Sequence, residues 1–175
     1  MSRKAEKEVR EGLPPLMPRL WRYALVLTRK RDVADDLSQS AALRALDKAH
    51  QFQAGTKLDA WVFTIQSSLW RNMLRSDKVR RGAGLVPVEE AGIQDPAPDV
   101  ETNILARQVL NNVMDLPEAQ RDTVFLTYVE GYSYKETAAI LDIPVGTVMS
   151  RLAAGRRKVN ETLALDTSSD AGKRG

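Results

Sequence analysis

The side chains of this chain best suited to chemistry are cations and hydroxyls gathered toward its C-terminal end. Thr147, Met149, Ser150 and Arg151 stand close together, and Arg156, Arg157 and Lys158 follow them. The first residues of a helix can reach base edges, while Arg and Lys further along hold phosphates. This pattern therefore suits a polyanion rather than a small substrate. A second cationic cluster lies upstream, where Arg71, Arg75, Lys78, Arg80 and Arg81 face a single Asp77. Trp61, Phe63 and Trp70 precede or adjoin it, and Phe52 lies in a neighbouring loop. Cations near aromatics beside a loop suit unpaired nucleic acid, because charges track phosphates while a pocket accepts an unstacked base. A plainer reading competes: Trp61 and Phe63 would belong to the core, and Phe52 would anchor the loop.

Catalytic chemistry has little to stand on. The chain of 175 residues has no Cys and one His, which removes disulfides, thiolate metal sites and cysteine nucleophiles. His50 alone leaves no His-rich zinc site, and no nucleophile-base pair or phosphate-binding Gly loop is visible. The expectation is a binder with no catalytic residue, no metal and no cofactor. At 43% hydrophobic and 28% charged, the composition is that of a folded domain rather than a disordered tail. The N-terminal MSRKAEKEVRE lacks the apolar stretch of a signal peptide, and the longest aliphatic run, Tyr23 to Leu27, is far too short to span a bilayer. A cytoplasmic protein with no membrane insertion is expected. A net charge of +3 points only weakly to a polyanion until the charge is located.

The elements that must position these residues read as helices. Leu116-Pro117-Glu118 starts one, with proline at its first position, and Val124, Phe125, Tyr128 and Val129 supply its apolar face before Gly131. Ser133 and Glu136 are spaced as a capping box for a short helix, Tyr134 to Leu141, that packs through Ala138, Ala139 and Leu141. Asp142-Ile143-Pro144 makes a tight turn, and Val145, Val148 and Leu152 form the buried stripe of the next helix. Two helices joined by a tight turn, the second basic, describe a DNA-binding helix-turn-helix. A helical hairpin with a solvated basic face is the bland alternative.

Upstream, Leu16, Leu20, Tyr23 and Leu27 recur at helical spacing, with Pro14, Pro15 and Pro18 at or before the first turn. Asp32 offers an N-cap for a helix carrying Leu37, Ala41, Ala45 and Leu46. A loop spans His50 to Asp59, and a third helix carries Trp61, Ile65, Leu69 and Met73 on one face. The termini, 1–8 and 166–175, should be mobile unless a partner orders them. Between the two helical modules the stretch GAGLVPVEEAGIQDPAPDVE is rich in Gly and Pro and carries only acidic charges, as an extended linker would. The fold class is all-α, with two small helical domains joined by a flexible acidic linker.

DVADDLSQSAALRAL, FQAGTKLDAWVFTI and LPEAQRDTVFLTYVEGYSYKETAAILDIPVGTVMSRL together resemble the bacterial extracytoplasmic-function sigma factors. The likeness covers both modules in order, and the style of WVFTI and GTVMSRL is similar to the general-stress-response branch. It implies a region 2 domain over 10–82, a linker over 83–101 and a region 4 domain over 102–165. Asp35, Asp36, Leu37, Gln39 and Arg44 would dock on core RNA polymerase, at the β′ clamp helices. Phe52, Lys57, Trp61, Ser68, Arg71, Arg75, Arg80 and Arg81 would hold the melted −10 strand of promoter DNA. Ser133, Thr147, Met149, Ser150, Arg151, Arg156, Arg157 and Lys158 would read the −35 element. The β flap of the polymerase and an anti-sigma factor are further implied partners.

Four positions depart from the family pattern. Met149 stands where Lys or Arg is usual, and Ala154 where Arg is frequent. A bidentate Arg–guanine contact is worth about 1–3 kcal/mol of discrimination, so −35 readout should shift or loosen. Ser68 replaces a frequent Asn, and Ser40 a frequent acidic residue. A sigma-like decoy that occupies an anti-sigma factor without opening promoters is the principal rival, though it gives the arginines no use. A helix-turn-helix repressor would leave the first module idle.

Overall fold

The computed structural model describes residues 2–82 and 111–171, with side chains for 3–82 and 111–161. The expected linker over 83–101 lies outside the described residues. Among the described residues there are helices and no strands. They fall into two units, the first holding α1–α3 and the second holding α4, most of α5, and α6.

In the first unit, α1 (Ser2–Thr28) packs along α2 (Arg31–Asp47), a 3-10 turn follows at Ala49–Gln51, and α3 (Leu58–Gly82) closes the bundle. Leu20, Tyr23 and Leu27 of α1 are buried as their spacing requires, as are Leu37, Ala41 and Ala45 of α2. The α1 helix begins far earlier than expected. It runs through Pro14, Pro15 and Pro18, so these prolines are interior, and residues 2–8 are helical rather than mobile. An interior proline removes a backbone hydrogen bond and crowds the preceding turn. Tertiary packing must therefore hold this helix: Ala5, Val9 and Leu13 are buried. The α2 helix starts one residue before Asp32, with Lys30 at its N-cap and no side-chain cap. Asp32 lies in the first turn, where its charge complements the helix dipole instead.

The α3 helix buries a different face from the one its apolar spacing suggests. Val62, Phe63, Gln66 and Ser67 are buried, whereas Trp61, Ile65 and Leu69 are half-buried and Met73 is exposed. Phe63 meets Tyr23 edge-on at 5.2 Å between ring centroids. Gln66 is accommodated because its Nε2 donates to the Leu20 carbonyl at 2.8 Å. That bond satisfies the donor half of the amide, while its Oε1 is buried without a partner among the described residues, and the more apolar stripe lies nearer the surface.

In the second unit, residues 111–114 are helical, and α4 (Glu118–Val124) continues into a wider π-type turn over Phe125–Val129. Pro117 is the N-cap of α4 rather than its first residue, and its carbonyl accepts from the Gln120 and Arg121 amides at 2.9 Å each. The wider turn rotates the following side chains. Leu126 and Thr127 turn inward, while Tyr128 and Val129, expected on the apolar face, stand exposed. Thr127 and Thr137 then satisfy one another inside, with their hydroxyls 3.1 Å apart.

The capping box closes as its spacing requires. Glu136 N donates to Ser133 Oγ at 3.2 Å, and Ser133 N donates to Glu136 Oε2 at 2.9 Å. It opens α5 (Tyr134–Leu141), which buries Thr137, Ala138, Ile140 and Leu141 but leaves Ala139 exposed. Asp142 ends α5 in the left-handed region at φ 54°, and Ile143 N donates back to Ala138 O at 3.0 Å. Pro144 O then accepts from the Thr147 and Val148 amides and starts α6 (Val145–Ala171). Val148 and Leu152 are buried, whereas Val145 is exposed. The backbone of α6 continues as helix to Ala171, through most of the tail expected to be mobile.

Candidate nucleic-acid interface

The chain turns by 104° between α5 and the first part of α6, within the range of helix-turn-helix motifs. Close packing seats α6 on α4: a Cβ at Gly155 would lie 2.9 Å from Val124 Cγ2 and 3.7 Å from Leu116 Cδ1. With Val148, Leu152 and Gly155 inward, helical periodicity sets Ser150 and Arg157 on the opposite, outward line. Thr147, Arg151 and Lys158 fall on one flank, and Met149 and Arg156 on the other. Met149, Ser150, Arg156, Arg157 and Lys158 are exposed, while Thr147 and Arg151 are half-buried. Ser150 Oγ donates to the Thr147 carbonyl at 3.0 Å. Ser133 is exposed, but its hydroxyl oxygen accepts the capping bond to Glu136 N.

Two neighbours of these cations were not visible in the sequence. Arg156 Nη1 donates to the Tyr128 hydroxyl at 3.3 Å. Partial burial and the adjacent Tyr134 raise the pKa of that phenol, so it stays a neutral acceptor. On the other flank, Asp122 of α4 feels the charge of Arg151. Burial raises the Asp122 carboxyl to about 6, against the opposing pull of a Thr123 hydrogen bond and of Arg151. Helical spacing signals neither pair, because each links α4 or its π-type turn to α6.

In the first unit a cleft of about 190 Å³ opens between α2 and α3. Trp61, Thr64, Ile65, Ser68, Leu69 and Asn72 line it from α3, and Arg44 and Lys48 from α2. The lining thus has two cations, no acid, a large aromatic and several small polar groups. Trp61 is held by Phe52, with ring centroids 5.2 Å apart. Arg71 and Arg75 follow Ser68 at helical spacing on adjoining positions of α3, the first half-buried and the second exposed. Arg80 and Arg81 are exposed in the last turn, and Lys57 is exposed just before α3.

Three expected site residues take other places. Phe52 is buried at 4% exposure and anchors the loop, so its ring face is not offered to a base. Leu37 is buried at 1% exposure and belongs to the core, because the inner face of α2 must supply apolar surface to α1. Arg44 stands with Trp61 and Ser68 on the cleft rather than with Asp35 and Asp36. Asp35, Asp36 and Gln39 are exposed on α2, and Trp21 Nε1 donates to Asp35 Oδ1 at 2.6 Å. Lys48, Thr64 and Asn72 were missed. Their signal was the i+4 step from Arg44 to Lys48 and from Ser68 to Asn72.

No single helix among the described residues is long and apolar enough to cross a membrane. Residues 15–80 match the model of sigma-70 region 2, and residues 107–159 that of sigma-70, region 4. The chain is 34% identical over 166 residues to the ECF RNA polymerase sigma factor EcfG of Rhodopseudomonas palustris, covering 94% of this chain and 90% of that relative. It is 30% identical to the ECF RNA polymerase sigma factor SigE of Mycolicibacterium smegmatis, over 87% of this chain and 60% of that one. Among solved structures, it matches the sigma factor RpoE of Bartonella quintana, crystallised with the anti-sigma factor NepR. That match has a TM-score of 0.73 and 29% identity, over 91% of this chain and 99% of that chain. The order of the two units, the helix-turn-helix and the length of these matches lead to one conclusion: the chain belongs to the extracytoplasmic-function RNA polymerase sigma factors.

Proposed function

We propose that the two units divide promoter recognition between them, the first holding the melted −10 strand and the second reading the −35 duplex. The observation that carries this reading is the cleft of the first unit, rimmed by Arg44 and Lys48 and backed by Trp61. Cations and an aromatic wall at one opening suit a phosphate and an unstacked base together. In the second unit, Ser150 and Arg157 face outward between two basic flanks, as a helix in a major groove requires. The exposed Asp35, Asp36 and Gln39 of α2 dock on the β′ clamp helices, and the region 4 unit reaches the β flap. The protein acts in the cytoplasm as a DNA-binding regulator and leaves catalysis to the polymerase. The general-stress-response branch, and regulation by an anti-sigma factor, are parts of the same proposal. The likeness to EcfG and to a sigma factor crystallised with its anti-sigma factor supports them.

Run-off transcription with purified core RNA polymerase on fragments of the source genome tests the proposal. Defined transcripts that appear only with this protein are expected, and their start sites identify both promoter elements. Absence of transcripts, together with absence of core binding, would overturn it in favour of a decoy.

A further inference from the structure

The early start of α1 requires an explanation. A helix carrying Pro14, Pro15 and Pro18 is intrinsically poor, since interior proline is about 3 kcal/mol worse than alanine at each position. Its N-terminal half nevertheless stays helical and buries Ala5, Val9 and Leu13. What it meets includes the 3-10 turn and the segment between that turn and α3.

Gln53-Ala54-Gly55-Thr56 forms a tight turn. Thr56 N donates to Gln53 O at 3.1 Å, and Gly55 has φ +85°, a left-handed conformation that glycine adopts without strain. The closing hydrogen bond of this turn uses the Thr56 amide and not that of Gly55. Glu8 takes the Gly55 N–H: its carboxylate oxygens accept from it at 3.3 and 3.2 Å, across 47 residues of chain. Further along α1, a Cβ at Gly12 would lie 2.3 Å from Leu58 Cδ2, so the Leu58 side chain closes on bare backbone. Arg19 Nη2 then donates to Asp59 Oδ2 at 3.0 Å. One helix thus grips the loop at its tip and at its exit into α3. Phe52 anchors the loop's entry, and Gln53, Thr56 and Lys57 on it are exposed.

We propose that Glu8 is a positioning residue for promoter opening. Its carboxylate, on the Gly55 N–H, fixes the 52–57 loop so that Gln53 and Lys57 meet the displaced −10 strand in one geometry. This rests on the reading above, in which that loop contacts the −10 strand. A loop held in its bound shape before binding loses less entropy on binding and discriminates more sharply among bases. The acceptor, rather than the negative charge, is what the role requires, since a bare carboxylate beside phosphates would oppose binding.

The test uses the full chain reconstituted with core RNA polymerase. The probe is a labelled single-stranded DNA carrying the −10 sequence that the wild-type holoenzyme selects, with a panel of single-base substitutions. Glu8→Ala should weaken binding about 3- to 10-fold and flatten the base preference, as loss of one such hydrogen bond implies. Glu8→Gln keeps an acceptor oxygen and should restore the preference. Thermal unfolding and core binding should not change in either variant. Lys57→Ala is run alongside. If Lys57→Ala weakens binding while Glu8→Ala matches wild type in affinity and preference, the −10 reading stands and the role of Glu8 is overturned. If Lys57→Ala also has no effect, the loop is not the −10 contact, and the proposal falls with that reading. Equal losses in Glu8→Gln and Glu8→Ala would make charge the cause and overturn it too. Should Glu8→Ala fail to fold, Glu8→Met, which keeps the length of the side chain and offers no acceptor oxygen, takes its place in the same comparison.

Discussion

The Tyr128 hydroxyl accepts a hydrogen bond from Arg156 Nη1 at 3.3 Å, tying the π-type turn after α4 to a cation on the flank of α6. Arginine is a long, entropically costly side chain, and a fixed partner reduces what ordering it costs on binding. Arg156→Ala, made with Arg151→Ala, should weaken duplex promoter binding and flatten its salt dependence, by about one unit of slope per lost phosphate contact. Tyr128→Phe should weaken binding by only about 2- to 5-fold and leave the slope unchanged, because the cation remains. Anisotropy titrations at several salt concentrations separate the two results. An unchanged slope in the double variant would sink the assignment of α6 to DNA.

Asp122 gives a pH dependence whose sign follows from its displacement. Its carboxyl titrates near 6 in the folded protein against an ordinary 3.8, chiefly because burial disfavours the charged form. Between those values the folded state holds a proton that the unfolded state has released, so this group's contribution falls as pH rises. It is fully present below pH 3.8 and lost on passing about 6. Asp122→Asn removes the cost of ionising a buried group. The variant should match wild type near pH 3.5 and exceed it at pH 7.5, by on the order of 1–3 kcal/mol. Thermal unfolding of both proteins across that range checks this, and a pH-independent difference would refute it.

The docking face proposed for α2 holds residues that are exposed to a partner and one that is buried. Asp36 and Gln39 are exposed, so Asp36→Arg with Gln39→Ala should change stability by less than about 0.5 kcal/mol while impairing capture of core RNA polymerase. Leu37→Ala should cost about 2–5 kcal/mol by opening a core cavity, and any loss of capture should then follow unfolding. Capture that survives the first pair of changes would place the docking surface elsewhere.

Local chemistry was the most legible part of the chain. Ser133 with Glu136, and the Asp142-Ile143-Pro144 turn, follow from side-chain bonds and backbone preferences that act over a few residues, and both form as read. The two helical modules were legible for the same reason. Faces were less so, because they depend on partners distant in sequence. Gln66 is drawn inward by the Leu20 carbonyl, which leaves Trp61, Ile65 and Leu69 to line a cleft. The π-type turn at Phe125–Val129 shifts a face by widening one turn, and no spacing rule for α-helices anticipates it. The helix over 2–13 was missed because three prolines read locally as a boundary, whereas the burial of Ala5, Val9 and Leu13 against residues distant in sequence holds it.

Arg44 decides between two uses of α2. The family likeness groups it with Asp35 and Asp36 in polymerase docking, but its side chain lines the cleft with Lys48, Trp61 and Ser68. A cation there is positioned to hold a phosphate next to an unstacked base, and its removal should act on single-stranded DNA alone. Arg44→Ala with Lys48→Ala should lower the affinity of the holoenzyme for the single-stranded −10 probe and reduce its salt slope by up to about 1.4. Binding of the isolated −35 duplex and capture of core polymerase should be unaltered. Arg44 is exposed and Lys48 half-buried, so the fold should tolerate the change. Weakened polymerase capture, with unchanged single-strand affinity in the holoenzyme that still forms, would return Arg44 to the docking face and leave the cleft to Trp61 and Ser68. Measuring the three affinities on one preparation distinguishes these outcomes directly.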